Sequence, residues 1–154
     1  YGYNCQGFRA PKFITTKNHF QLLKKYNYQY DSSLATFLPG RYSNLNLKQK
    51  PFLKRNLVEF PIPNFIYPSI NSGLTYLKLF HPFSKLFPQK YMFYLHPWEF
   101  LEKKDLPKSN SIIYNFLSRN SGKNAWKIFT NHIEKNNTKW ISCQAWLEKR
   151  KLIK

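Results

Sequence analysis

Tyr91-Met92-Phe93-Tyr94-Leu95-His96-Pro97-Trp98-Glu99 is the stretch on which the fold turns. Five apolar or aromatic residues in succession read as a strand buried on both faces, the type found in parallel sheets. Pro97 cannot donate to a ladder, so the strand is expected to stop where His96 is displayed. In barrels of parallel strands chemistry gathers at the C-terminal strand ends, because the loops there converge on one mouth. His96 stands where a catalytic histidine would stand. A histidine merely satisfied at a strand end fits the same nine residues.

Outward from this stretch, polar groups recur at apolar strand ends. Gly7-Phe8 delivers Arg9, with Pro11 stopping regular pairing, and Tyr28 to Asp31 ends in Asp31-Ser32-Ser33. Tyr1 to Phe8 is expected to form the first of these strands. Thr16 is expected to cap a helix over about 17–26, with Phe20, Leu23 and Leu22 facing inward. Residues 35–56 lose periodicity and read as a long loop. Leu57 to Ile62 is a strand candidate whose prolines suit a sheet edge. Asn64 to Gly73 reads as a second loop. Pro82 suits the first turn of a helix toward Leu86. Ile112, Ile113, Phe116 and Leu117 form a short amphipathic piece. Ser121 caps a helix over about 122–135 that carries Ala125, Ile128, Phe129 and Ile133 on one face. Lys139 to Cys143 closes the series as a strand, followed by a helix over 144–151. Strands and helices in alternation predict an α/β domain with mostly parallel pairing.

Composition narrows the function classes. With 154 residues, 42% of them hydrophobic and 19% aromatic, the chain can bury a core and is no disordered tail. The net charge of +18 invites a nucleic-acid partner. Yet 20 of the 25 basic residues are Lys, scattered among 15 Asn, without an Arg-rich block, zinc-finger spacing or an RNP-like aromatic motif. Solvated lysines explain the charge, and no nucleic-acid partner is expected. Cys5 and Cys143 are too few for a disulfide framework and too distant for a local metal pair. His19, His81, His96 and His132 show no metal-ligand spacing. No run reaches the roughly 20 apolar residues of a membrane span. Met92 is the only methionine, so residue 1 reads as internal to a longer frame or as a product of processing. The compartment stays open.

Gly7-Phe8-Arg9-Ala10-Pro11, Tyr28-Gln29-Tyr30-Asp31-Ser32-Ser33, Glu59-Phe60-Pro61-Ile62-Pro63, Asn71-Ser72-Gly73 and Leu95-His96-Pro97-Trp98-Glu99 follow one another in an order that resembles the C-terminal half of NodB-like polysaccharide deacetylases (carbohydrate esterase family 4), especially their exopolysaccharide-associated bacterial branch. The resemblance spans about residues 5–150. It implies the second half of a distorted (β/α) barrel, with residues 1–154 forming a partial deacetylase domain that lacks its N-terminal metal-binding half. It implies hydrolysis of N-acetyl groups on a polysaccharide or oligosaccharide, using a divalent metal, usually zinc, whose ligands are not in this chain. The family's Asp-Asp and His-x-x-x-His motifs both precede the Arg motif, and neither occurs here.

By the same resemblance, His96 is the general acid that protonates the departing amine, and Arg9 orients the catalytic Asp and keeps it ionised. Asp31 either holds the catalytic histidine protonated or simply closes a turn with Ser32 and Ser33. Trp98, Pro11 and Tyr94 are the expected substrate-binding residues, although packing is the commoner fate of a Trp. Lys12 stands where the family often has an aromatic, which leaves that wall of the groove open to question. The alternative is a noncatalytic glycan- or nucleic-acid-binding module built on the aromatic and lysine surface.

Overall fold

A computed structural model describes residues 5–38, 42–67, 69–135 and 139–152. Among the described residues the strands are β1 (Gly7–Phe8), β2 (Tyr30–Asp31), β3 (Phe37–Leu38), β4 (Tyr42–Ser43), β5 (Phe52–Lys54), β6 (Leu57–Glu59), β7 (Asn64–Ile66) and β8 (Ile70–Asn71), all short. The helices are α1 (His19–Lys25), α2 (Leu74–Leu79), α3 (Ile112–Leu117), α4 (Lys123–Glu134) and α5 (Cys143–Lys149). The fold is mixed α/β. The main sheet has the order β1-β2-β6-β5, parallel across β1, β2 and β6, and antiparallel between β6 and β5.

Successive strand residues point to opposite faces, and the side chains divide accordingly. Leu57 joins Phe20 and Leu23 of α1, with Phe8, Tyr28 and Leu34 around them. Its neighbour Val58 turns the other way and joins Phe60 and Leu147 of α5, with Tyr30, Met92 and Trp146. Helices thus cover both faces of the sheet, and no closed barrel forms among the described residues. The face that a barrel would keep for its interior is covered here by α5. Gly7 lets this face close: a Cβ there would lie 2.1 Å from Cζ of Tyr30, whose ring crosses β1. A separate core joins α2 to α4 through Leu74, Leu77, Ala125 and Ile128, beneath Phe65 and Phe87.

Helices α1, α4 and α5 lie about where the sequence places them, whereas α2 is not foreseen and the helix expected from Pro82 is a 3-10 turn, Phe83–Leu86, with Pro82 at its N-cap. Several strand expectations are corrected. Residues 91–95 form no doubly buried strand. Tyr94 makes a single parallel bridge to Gly73, Tyr91 and Leu95 are exposed, and Met92 and Phe93 are half-buried. Strand β6 is internal rather than an edge, because β5 pairs on its outer side through the turn Arg55-Asn56, both residues left-handed (φ 51° and 63°). The expected loop over 35–56 contains β3, β4 and β5, and the one over 64–73 is the antiparallel hairpin β7-β8. Residues 139–142 are not a strand; Ser142 caps α5, its hydroxyl accepting from Ala145 N. Helix α1 starts later than Thr16 predicts, with Asn18 at its N-cap, and α4 starts after Gly122 rather than Ser121. Tyr1 to Asn4 of the expected first strand lie outside the described residues.

Candidate functional site

The parallel strands β1 and β2 end side by side, and a chain of hydrogen bonds runs across their ends. Arg9, immediately after β1, donates from Nε to the Ser32 carbonyl (3.0 Å) and from Nη2 to Ser32 Oγ (2.8 Å). Ser32 Oγ donates onward to the Phe60 carbonyl (2.7 Å). Ala10 N donates to Ser33 Oγ (2.8 Å), which donates to Asp31 Oδ1 (2.7 Å). The Arg9 guanidinium is thereby fixed by the turn after β2. Burial of its head group pulls the Arg9 pKa below its ordinary value, while Cys143, Tyr94, Asp31 and Glu59 act in the opposite direction. Arg9 as a residue is still exposed, so solvent limits that shift and the group stays cationic.

His96 ends the extended run from Phe93 and stands at the N-cap of a 3-10 turn, Pro97–Phe100. Its backbone N–H donates to Glu99 Oε2 (2.8 Å), and its side chain is exposed. Glu99 is sealed from solvent, its Oε1 accepting from Thr75 Oγ1 (2.8 Å) and lying 3.3 Å from the Lys78 ammonium. Lys78 is itself fully buried, bonded to Ser121 Oγ (3.1 Å) and lying 4.8 Å from the Trp98 ring centre. Fully buried lysines and glutamates are rare unless paired, and this pair anchors the turn that displays His96.

A run of rings connects the two halves. The Arg9 guanidinium lies 5.9 Å from the Phe13 centroid, and Phe13 meets Tyr94 edge-on at 5.7 Å. Tyr94 meets His96 edge-on at 5.7 Å, and His96 stacks on Trp98 at 5.9 Å. Tyr114 extends the run, 6.5 Å beyond Trp98. Gly73 makes room for it: a Cβ there would be 2.6 Å from the Tyr94 ring. The structure therefore brings Arg9, Tyr94, His96 and Trp98 onto one continuous aromatic rim. Pro11, exposed, starts the 3-10 turn that carries Phe13 to it.

Asp31 does not join this rim. It is fully buried, and the imidazole it holds is His19 of α1 (Oδ2 to Nε2, 2.9 Å), not His96. The reading of Asp31 as the acid behind His96 is corrected on this point. The turn-closing alternative accounts for its other oxygen, bonded to Ser33. Against Asp31 lies Glu59, also sealed; burial and the charge of Asp31 push its pKa up to about 8, against the Leu34 N–H donated to Oε1. Its Oε2 has no hydrogen-bond partner among the described residues, in keeping with a protonated acid at neutral pH.

The sequence assigns no site role to Phe13, His19, Lys78 or Glu59, although Glu59 opens one of the motifs that carry the resemblance. For Lys78 one signal existed, its place four residues after Leu74 and next to Leu77 on the inward face of α2. His19 gave none beyond its place in an apolar helix face.

No group of three or more His, Cys, Asp or Glu that could hold a metal ion is assembled among the described residues. The described residues by themselves therefore do not make up a metal site. No helix of the described residues is long and apolar enough to cross a membrane. The chain matches no protein-family model, no curated protein and no solved structure.

Proposed function

We propose that this chain is the C-terminal part of a polysaccharide deacetylase acting on N-acetylated sugars, with His96 as general acid and Arg9 as the orienting cation. The observation that carries this reading is the rim itself: Arg9 and His96, 87 positions apart in sequence, are joined by Phe13 and Tyr94 at successive spacings of 5.7–5.9 Å. Exposed and half-buried ring faces suit the C–H faces of pyranose rings. An exposed imidazole on that rim can reach a leaving amine, and stacking on Trp98 fixes its plane.

Two of the five guanidinium N–H groups of Arg9 are used by Ser32, which leaves donors for a carboxylate supplied from outside this chain. In this reading the base and the metal ligands belong to a segment preceding residue 1. Activation of water and of the amide oxygen, the chemistry a metal supplies in the resembled family, would come from that segment, while this chain holds the sugar and places the proton.

The reading is tested by measuring acetate release from an N-acetylglucosamine oligomer. The 154-residue chain alone is expected to release none, and the same chain joined to its own upstream coding segment is expected to do so. Release by the isolated chain, or an upstream segment without clustered Asp and His, contradicts it.

A further inference from the structure

A second concavity, of about 740 Å³, opens on the α5 face of the sheet between the segments 88–93 and 139–143. Its size is that of a small-ligand site. Tyr91, Trp140 and Trp146 supply its ring faces, and Lys90, Lys135 and Lys139 its charges, with no Asp or Glu in the lining. Tyr91 is 61% and Trp140 38% exposed; Trp140 is held by its edge-on contact with Phe93 and by its indole N–H donated to the Ile133 carbonyl (3.1 Å), which leaves part of a fixed ring open to a ligand. Two further cations flank the rings: Lys50 lies 5.5 Å from the Tyr91 centroid and Arg150 4.3 Å from that of Trp146. Lys135 is fixed by the carbonyls of Lys85 and Phe87, so part of the positive charge is preorganised.

The cleft adjoins the rim along the chain: Met92 and Phe93 line it, and the next residue, Tyr94, meets Phe13 and His96. Cys143 also lines it; burial raises the Cys143 pKa, and the charge of Arg9 acts against that. A polymer crossing the rim at Tyr94 could continue past Phe93 onto Trp140, which meets Phe93 edge-on.

We propose that this cleft is a binding site for an acidic oligosaccharide, its carboxylates held by the lysines and its rings lying on Trp140 and Tyr91. The choice of a sugar over single-stranded nucleic acid rests on the deacetylase reading; the anionic character rests on the cleft alone. It names the substrate class: an N-acetylated polymer that also carries acid groups.

The test is titration of the 154-residue chain, followed by calorimetry and tryptophan fluorescence, with short hyaluronan oligomers. Chitin oligomers and oligothymidylate of matched length serve as the neutral and nucleic-acid probes. Hyaluronan is expected to bind at least about tenfold tighter than chitin at low salt, the advantage shrinking as salt rises. Trp140→Ala and the pair Lys90→Glu/Lys139→Glu are expected to weaken it about tenfold, while Trp140→Phe and, away from the cleft, Lys104→Glu leave it unchanged. Equal binding of chitin, tighter binding of oligothymidylate, or an equal loss of binding in Lys104→Glu overturns the proposal. Failure of the deacetylase reading would show instead as an intact protein that binds hyaluronan normally but releases no acetate.

Discussion

The His96 imidazole lies nearly parallel to the Trp98 indole, 5.9 Å between centroids and 17° between planes. Both belong to a turn whose third residue, Glu99, reaches back to His96 N and whose charge is met by Lys78. A displayed histidine is thus held from below by a sealed ion pair.

Removing one member of that pair strands the other. Lys78→Met is expected to cost about 3–5 kcal/mol, because Glu99 is left buried and uncompensated. Adding Glu99→Gln, which can still accept from His96 N, is expected to recover a large part of the loss. Urea unfolding of the single and double variants checks this; equal destabilisation in both would show that the pair is not coupled.

Asp31 is held by His19 and by Ser33, so Asp31→Ala is expected to cost about 3–5 kcal/mol and to loosen the turn that fixes Arg9. It does not contact His96. On the proposed deacetylase reading, Asp31→Asn in the intact protein is therefore expected to leave the alkaline limb of the pH–rate profile in place, since that limb would report the protonated acid. A shift of the limb to lower pH would return Asp31 to the role of partner of His96.

Glu59 binds a proton more tightly folded than unfolded, its pKa standing at about 8 rather than 4.5. Between those values the native state holds the extra proton, so stability falls as pH rises, by up to about 1.4 kcal/mol per pH unit from this group. Glu59→Gln is expected to remove that slope and to stabilise the chain by about 1–3 kcal/mol at pH 8, with no gain at pH 4. Thermal melts across this range decide it, and a Gln variant that melts lower at pH 8 would contradict the assignment.

His132 has the opposite sense. Burial, reinforced by Lys135, lowers its pKa to about 4 from 6.5, and its Nε2 has no partner among Phe65, Phe93 and Trp140. The unfolded chain takes up the proton first, so stability is lost as pH falls from 6.5 towards 4. His132→Phe is expected to flatten this acid-side loss. An unchanged slope in the variant would locate it elsewhere.

Helices α1 and α4 were legible because they carry apolar residues at 3.6-residue spacing, as Ala125 and Ile128 do in α4; α2, only six residues long and carrying Lys78 on its buried face, was not. Strand ends bearing Arg9 and Asp31 were legible because polar residues follow short aromatic runs there. Strands of two or three residues leave no periodicity to read, and the β5-β6 turn uses Arg55-Asn56 where Asn-Gly would have announced a hairpin. The run 91–95 has strand composition, yet Tyr91 and Leu95 find no neighbouring strand among the described residues. The partners of buried charges, His19 for Asp31 and Lys78 for Glu99, are set by tertiary contacts that local sequence does not encode.

The central claim, that Arg9 and His96 serve one sugar-facing rim, is tested most directly by acetate release from an N-acetylglucosamine oligomer by the intact protein and its His96→Ala variant. Loss of about 10²–10⁴-fold in kcat with KM nearly unchanged is the expected result, as for removal of a general acid. Full turnover in the variant, or an equal loss confined to KM, would contradict it.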